Sequence, residues 1–204
     1  DRVISLEEFV MSASRNEELR REVPHNIEKI KEKDIKFYNP QTSGDMLMQS
    51  GKIFVQQSQM GGSSPVIRGF EANKVLLVID GVRMNNAIYR SGHLQNVITI
   101  DPNALDRVEV LYGSGSVIYG SDAMGGVMSF YTKKLRYSDS LQKRFFTVSI
   151  NDLYMRYSSA NNERSGGGSF NISKGKLASM TIFSYKDLDD LKEGRYRNAL
   201  EGDW

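Results

Sequence analysis

A glycine-rich run in the middle of the chain is the first feature that could do chemistry. It starts with Gly113-Ser114-Gly115-Ser116 and ends at Gly120. A dinucleotide-binding loop would need glycine where Ile118 stands, and a phosphate-binding P-loop would need lysine where Ser121 stands. We therefore interpret these glycines as residues that permit tight turns and close backbone packing.

Histidine and carboxylate side chains give little support for catalysis or for a metal site. The chain has two histidines, His25 and His93, and no cysteine. The two histidines lack metal-ligand spacing, and the absence of cysteine excludes thiolate ligands, cysteine nucleophiles and disulfides. Asp80 and Asp101 each begin a turn sequence, Asp-Gly or Asp-Pro, where a carboxylate hydrogen-bonds the local backbone. The sequence predicts a protein that is not an enzyme, with no catalytic residues and no required cofactor.

Composition narrows the class of protein. The 204 residues include 27 basic and 25 acidic side chains, for a net charge of +2, which argues against nucleic acid as a partner. A hydrophobic content of 39% is enough to bury a core. No run approaches the roughly 20 apolar residues of a membrane-spanning helix. The first residues, Asp1–Ser5, do not form an export signal, so we expect any such signal to have been removed or never present.

The first 36 residues divide into a β-prone segment and a charged one. Residues 6–13 have Phe9, Val10 and Met11 at their centre, and such a segment can add itself to the edge of another protein's sheet. Residues 12–36 are polar and carry both signs of charge. We interpret the charged stretch as a flexible leader or a solvated face.

One helix and two strands are expected in the next part of the chain, and the first of these strands is Ile53-Phe54-Val55. The helix follows Asn39-Pro40, is capped by Thr42 or Ser43, and ends at Gly51. The apolar run Val75–Ile79 predicts a strand that is buried on both faces.

Loops and further strands complete the first 134 residues. Residues 56–65 and 83–103 are expected to be loops, and the length of the second favours a functional role. A helical turn is predicted near residues 102–106, and alternating patterns predict strands at 107–112 and 127–132.

After residue 134 the pattern changes to half-apolar alternation. The parity of that alternation shifts near Asn151-Asp152, which predicts a bulge or a turn there. Lys174-Gly175-Lys176 is interpreted as a hairpin tip, and residues 180–185 as another strand. The pattern indicates a meander of antiparallel strands.

Four stretches, in order, resemble the plug domain of TonB-dependent outer-membrane receptors. They carry the sequences VIRGF, VLLVIDGV, LDRVEVLYG and SVIYGSDAMGGV, and they are residues 66–70, 75–82, 105–113 and 116–127. Residues 7–13 are similar to the TonB box, the N-terminal stretch that pairs as a strand with the energy-coupling protein TonB.

The resemblance implies an α+β plug domain, a small mixed sheet with short helices and long loops, followed by antiparallel strands of an incomplete transmembrane β-barrel. A complete barrel of this kind has about 22 strands. We expect residues 1–36 to hold the TonB box and the start of the plug, residues 37–134 to form the plug, and residues 135–204 to supply the first strands of the truncated barrel.

Function and partners follow from the same resemblance. It implies a receptor in the outer membrane of a Gram-negative bacterium that takes up a scarce extracellular ligand, with haem or an iron-siderophore expected. TonB, with ExbB and ExbD, would supply energy from the periplasm, and a surface lipoprotein would be a further partner. Haem would be cargo rather than a required cofactor.

Three groups of residues are expected to form the sites. The apical loops would bind the ligand through Gln57, Gln59, Met60, Tyr89, Arg90, His93 and Gln95. The TonB box would bind its partner through Glu7, Glu8, Phe9, Val10 and Met11. Contacts to the barrel wall would use Arg68, Arg107 and Glu109. Within the first group, His93 would ligate haem iron, because imidazole is a suitable axial ligand.

A second hypothesis from a different class stays open at this point. The chain would then be a free-standing periplasmic module with a plug-like fold, which binds a partner or signals without transport. Residues 135–204 would serve as an accessory sheet.

Overall fold

The computed structural model describes residues 9–12, 16, 18–51, 53–58, 62–71, 74–84, 97–137, 146–159 and 161–189. Its contacts divide the chain into two compact units, Asp1–Lys134 and Leu135–Trp204. Each unit is described separately below.

The first unit is built on a five-stranded mixed sheet. Its strands are β3 (Asn26–Lys31), β6 (Val75–Ile79), β7 (Val82–Arg83), β8 (Leu105–Tyr112) and β9 (Gly126–Thr132). The spatial order is β3-β8-β9-β6-β7, with β6 and β9 parallel and the other pairs antiparallel. The predicted strands at 75–79, 107–112 and 127–132 are confirmed.

Strand β3 corrects the interpretation of residues 12–36 as a leader or a solvated face. This stretch contains β3, and the helix α1 (Glu32–Tyr38) follows it directly. Ile27 and Ile30 are buried on opposite faces of the sheet while the residues between them are charged. Among the described residues the strand pairs with β8 alone, and an edge strand tolerates such charge.

Both faces of the sheet are covered. Alternate residues of β6, β8 and β9 point to opposite sides, and two separate apolar clusters result. The first cluster includes Leu77, Val110 and Phe130 and packs against α2 (Ser43–Gln49). The second includes Leu76, Leu111 and Val127 and is covered by α3 (Ser116–Tyr119) and by Val10 near the N-terminus.

Local sequence explains the helix α2. Thr42 is its N-cap: the Thr42 hydroxyl accepts the Asp45 amide at 3.1 Å, and the Asp45 carboxylate accepts the Thr42 amide at 3.0 Å. This reciprocal capping box satisfies two backbone donors at the start of the helix. Gly51, with a φ of +70°, follows the helix end, so the predicted cap and stop are confirmed.

Residues 56–65 are not the continuous loop that their polar composition predicted. Strands β4 (Phe54–Ser58) and β5 (Gly62–Val66) form an antiparallel hairpin there, with Val55 opposite Pro65. Within the described part of the chain each of these strands pairs with the other alone, so the proline can lie where no backbone N–H is needed.

The second unit is a three-stranded antiparallel meander of β10 (Thr147–Ser158), β11 (Glu163–Lys174) and β12 (Leu177–Asp187). The predicted bulge is confirmed, because the register of β10 against β11 shifts between Ile150 and Asp152. The turn between Lys174 and Leu177 confirms the predicted hairpin tip. Among the described residues the sheet is open, with β10 and β12 as its edges.

The two faces of this meander reverse the usual pattern of a globular protein. On one face the residues that alternate along β11 are buried and small or polar, and they are Glu163, Ser165, Gly167, Ser169, Asn171 and Ser173. On the other face the exposed side chains include Leu153, Met155, Tyr157, Phe183 and Tyr185. A sheet that presents apolar side chains outward and polar ones inward is typical of a membrane strand.

Candidate functional site

The N-terminal segment, residues 9–12, lies against the second apolar cluster of the first unit. Phe9–Val10 forms the short strand β1, which pairs antiparallel with β2 (Glu18–Leu19). Val10 is fully buried, whereas Phe9 remains 49% exposed. The side chain at position 10 therefore anchors the segment.

A buried carboxylate holds the next two residues. Oε2 of Glu109 accepts the backbone N–H of Met11 at 2.9 Å and that of Ser12 at 3.0 Å. Oε1 of the same carboxylate accepts Nε–H of Arg107 at 2.9 Å. The Glu109 side chain has no exposed surface, and these three donors surround its carboxylate inside the protein. Hydrogen bonds to an ionised acceptor are stronger than neutral ones.

Arg107 is enclosed by groups that keep it charged. Its guanidinium lies 4.1 Å from the centre of the Tyr131 ring and 3.1 Å from the Asp106 carboxylate. Burial alone would lower the pKa of Arg107, but the hydrogen bonds and negative charges of Glu109 and Asp106 outweigh it and raise that pKa. The same environment raises the pKa of Tyr131, first through burial and then through the charge of Glu109.

Two further donors bind the backbone carbonyls of the segment. The Tyr119 hydroxyl donates to the carbonyl oxygen of Ser12 at 3.0 Å within the buried region. Lys29 Nζ donates to the carbonyl oxygen of Phe9 at 3.1 Å near the surface. The sequence reasoning missed both residues, because nothing in a lone tyrosine or an edge-strand lysine indicates a contact with a segment that is distant in sequence.

An open cavity of about 450 Å³ adjoins this site. Met11 and Tyr119 line it together with Val78, Ser129 and Tyr131 of the sheet. Its wall is largely apolar, so the cavity extends the surface on which the N-terminal segment lies.

The structure brings together two groups of residues that the sequence treated separately. Phe9, Val10 and Met11 were predicted as a partner-binding strand, and Arg107 and Glu109 as barrel contacts. Here they form one site within the first unit. The barrel contacts of Arg107 and Glu109 stay predictions, and the contact observed for Glu109 is with the N-terminal segment.

The remaining predicted residues are placed as follows. Arg68 is exposed, has a φ of +50°, and lies 5.6 Å from the centre of the Tyr112 ring, so its barrel contact also stays a prediction. The backbone of Gln57 belongs to β4. The residues that lie outside the described part are Glu7, Glu8, Gln59, Met60, Tyr89, Arg90, His93 and Gln95.

Both aspartates lie in turns, as predicted, but the predicted bond from the carboxylate to the local backbone is observed for Asp101, whereas the Asp80 carboxylate bonds Thr132, 52 positions away. Asp80 has a φ of +45° at a tight turn with Gly81, and its carboxylate accepts both N–H and O–H of Thr132. Asp101 accepts the Asn103 amide at 3.0 Å at the start of a single helical turn, Pro102–Ala104. Both carboxylates thus satisfy nearby donors.

The described residues contain neither a cluster of metal ligands nor a membrane-spanning helix. Within them, no group of three or more His, Asp or Glu side chains could hold a metal ion. In the same part of the chain, no helix is both long and apolar enough to cross a membrane.

Comparison with known proteins gives the family. A family model described as the TonB-dependent receptor plug domain matches residues 20–127. The chain is 29% identical over 202 residues to a hemin receptor of Yersinia pestis, with 96% of this chain and 28% of the relative covered. It is 37% identical over 125 residues to the vitamin B12 transporter BtuB of Vibrio vulnificus, with 60% of this chain and 20% of the relative covered.

Solved structures agree on the fold. The pyoverdine outer membrane receptor FpvA from Pseudomonas aeruginosa has a TM-score of 0.64 at 19% identity, with 88% of this chain and 24% of that chain covered. The alcaligin outer membrane receptor FauA from Bordetella pertussis also has a TM-score of 0.64, at 18% identity, with 89% and 30% covered. The chain thus spans less than a third of these proteins. From the match to the plug domain over more than half of its length, the chain belongs to the family of TonB-dependent receptors.

Proposed function

We propose that the chain is the plug and the first barrel strands of a receptor for energised uptake across the outer membrane of a Gram-negative bacterium. In this proposal the protein binds and passes a ligand and has no catalytic activity. The proposal is supported by one observation. The chain contains the plug domain of this family, and its N-terminal segment already pairs as a strand with β2.

TonB is the proposed partner of residues 7–13. A segment that forms strand pairs inside its own chain has the extended backbone needed to pair with the edge of another sheet. Phe9, Val10 and Met11 supply apolar side chains to such a pairing. ExbB and ExbD would energise TonB, and a surface lipoprotein is proposed as an accessory partner.

The strand lengths and the exposed face of the second unit support a location of this unit in the membrane. Its strands have 12, 12 and 11 residues, which is enough for a tilted strand to cross the apolar layer of a bilayer. Its exposed face carries Leu153, Met155 and Phe183, with Tyr157 and Tyr185 towards one end of the sheet, and aromatic side chains favour the boundary between lipid and water. We propose that this face contacts lipid.

Haem is the proposed ligand, and a siderophore or vitamin B12 is the alternative. The resemblance to a hemin receptor extends over 202 residues, and His93 lies in the segment predicted to be an apical loop. In this proposal the His93 imidazole ligates the haem iron, while Gln57, Gln59, Met60, Tyr89, Arg90 and Gln95 contact the rest of the ligand.

Titration of haem into the purified chain tests the ligand. We expect a shift of the haem absorbance band that is lost in His93→Ala. The chain offers a matched control, because His25 is its other histidine and is exposed. His25→Ala should keep the shift. A shift that survives in His93→Ala, or one that is lost equally in both variants, would contradict the role of His93.

Uptake by cells tests the transport function itself. We expect a strain that carries the full-length receptor as its route for haem to grow on haem when TonB is present and to stop when TonB is deleted. Val10→Pro, which removes a backbone donor from the predicted TonB box, should abolish growth without lowering the amount of receptor in the outer membrane. Equal growth with and without TonB would overturn the proposal.

A further inference from the structure

We propose that Arg164 and a notch at Gly166, on the exposed face of the second unit, bind the phosphate end of one lipopolysaccharide molecule. This inference rests on the proposed function, because it takes the exposed face of β10, β11 and β12 to contact the outer membrane. It goes further, since general contact with lipid requires no particular lipid, whereas this site selects one by charge and shape.

Strand β11 carries one cation at each end of its exposed face. The residues that point to this face are Arg164, Gly166, Gly168, Phe170, Ile172 and Lys174. Ten residues at about 3.3 Å each place the two cations about 33 Å apart along the strand, or about 23 Å across a bilayer at a tilt of about 45°. This span matches the apolar band of about 25 Å on a membrane barrel. The two cations therefore fit the two levels of lipid headgroups.

The connections between the strands indicate which end faces outward. Residues 159–162 join β10 to β11, whereas the shorter turn 175–176 joins β11 to β12. Barrels of the outer membrane have short periplasmic turns and longer extracellular connections. Arg164 comes just after the longer connection, which assigns it to the outer leaflet, where the lipid is lipopolysaccharide.

The surroundings of Arg164 suit a lipid phosphate. Its direct neighbours across the sheet are Tyr157 on β10 and Asp187 on β12, and all three residues are exposed. Within the described part of the chain no ion pair of Arg164 is seen, so its charge is available to an anion. A guanidinium binds phosphate oxygens through paired N–H donors, and the Tyr157 hydroxyl offers a further polar group at the edge of the apolar layer.

A notch for the adjoining acyl chain lies next to Arg164. Gly166 stands between Met155 and Tyr185 on the neighbouring strands, and a Cβ at this position would meet no atom closer than 3.4 Å. At Gly168 the side chains of the two facing residues lie 3.3 and 3.4 Å from such a Cβ, so they close over that glycine. Because lipid tails are as apolar as the side chains around them, binding gains from close packing, which a small residue permits.

Three variants of the full-length receptor test the site. Arg164→Gln removes the cation, Asp187→Asn removes the carboxylate beside it, and Gly166→Leu fills the notch. Lys174→Gln is the matched control, because Lys174 is the cation at the other end of the same face of β11. The measurement is native mass spectrometry of the purified receptor, titrated with lipid A, which carries phosphates of lipopolysaccharide, or with phosphatidylglycerol.

The expected results follow from charge and shape. Arg164→Gln should weaken the binding of one lipid A molecule by about tenfold or more, the effect of losing a bond to a charged group. Asp187→Asn should tighten it by about threefold, because an exposed negative charge no longer repels the phosphate. Gly166→Leu should weaken it by about threefold through lost packing, and Lys174→Gln should leave it unchanged. Phosphatidylglycerol should bind more weakly, because its phosphodiester carries less charge than a phosphate monoester.

The outcomes separate this site from the proposed function. Lipid A binding that is as strong in Arg164→Gln as in the wild type, or that falls equally in Lys174→Gln, would overturn the site. Equal affinities for lipid A and phosphatidylglycerol would overturn the choice of lipopolysaccharide. The proposed function is judged by TonB-dependent growth of the wild type, so its failure there would leave the lipid titration to judge the site by itself.

Discussion

Substitution of Gly125 tests the close packing of the backbone just before strand β9. A Cβ built at Gly125 would lie 2.2 Å from Cβ of Phe70 and 3.1 Å from the carbonyl oxygen of Lys74. Neither atom is the free end of a flexible side chain. The Gly125 amide is also bound to the Lys74 carbonyl at 2.8 Å, and Phe70 is fixed by two 2.9 Å backbone bonds to Ile67. Gly125→Ala must therefore break or stretch bonds on one side.

The size of the effect follows from the required movement. Carbon atoms in contact prefer separations of about 3.5–4.0 Å, so the new Cβ and Phe70 must move apart by more than about 1 Å. Overpacking of this kind costs about 1–3 kcal/mol. A loss of about 2 kcal/mol lowers the unfolding midpoint by about 4–8 °C for a chain of this size.

Thermal unfolding of the purified chain, followed by far-ultraviolet circular dichroism, measures this shift. Met124→Ala is the control, because Met124 is the preceding residue and its side chain is 53% exposed. Its effect should stay within about 0.5 kcal/mol. If Gly125→Ala melts within about 1–2 °C of Met124→Ala, the shift expected for only about 0.5 kcal/mol, the close-packing argument is wrong.

Three further predictions address the N-terminal segment, the pH response and the second sheet. Val10→Ala removes two buried methyl groups and should weaken docking by about 1.5–2 kcal/mol, seen as faster proteolysis near residue 10, whereas Phe9→Ala should have a smaller effect. Because the pKa of Tyr131 is raised in the folded state, the unfolded chain ionises first above about pH 10. Stability should therefore fall as pH rises beyond that point, and less steeply in Tyr131→Phe. In β11, the Cβ of Gly167→Ala would lie 2.4 Å from the carbonyl oxygen of Phe183, whereas the Cβ of Gly166→Ala would make ordinary contacts at 3.4 Å or more. In the full-length receptor, Gly167→Ala should therefore lower the thermal midpoint, and Gly166→Ala should not.

Local sequence patterns predicted the elements in which each residue type suits its position, such as apolar residues in a buried strand. The run Val75–Ile79 forms a core strand, Thr42 caps a helix, and the parity shift at residues 150–152 is a bulge. These features depend on residues that are close in sequence and on the pattern of apolar side chains, and both can be read from the sequence. Strand β3 was missed because its two buried side chains do not alternate strictly and the residues between them are charged.

The candidate site could not be assembled from local pattern. The bonds from Glu109 to Met11 and Ser12 join residues that are 98 and 97 positions apart. Phe9, Val10 and Met11 were predicted as a strand that pairs outside the chain, and their docking depends on how β8 and α3 are placed in three dimensions. A strand was predicted at residues 53–55, where β4 begins, but the polar continuation of β4 and the strand β5 were missed, because backbone bonds rather than an apolar pattern pair these strands.

The order of the contacts along the N-terminal segment has a mechanical consequence. From Phe9 onward the segment meets first the exposed bond to Lys29 and the strand pairing with β2. The buried side chain of Val10 and the two bonds to Glu109 follow, and the bond from Tyr119 to the Ser12 carbonyl comes last. A force applied through the residues before Phe9 therefore loads these contacts one after another and peels the segment from the plug. Peeling requires only the force that breaks the strongest single contact. Thermal detachment, in contrast, must break all the contacts together, so the segment resists it and still yields to a modest directed pull.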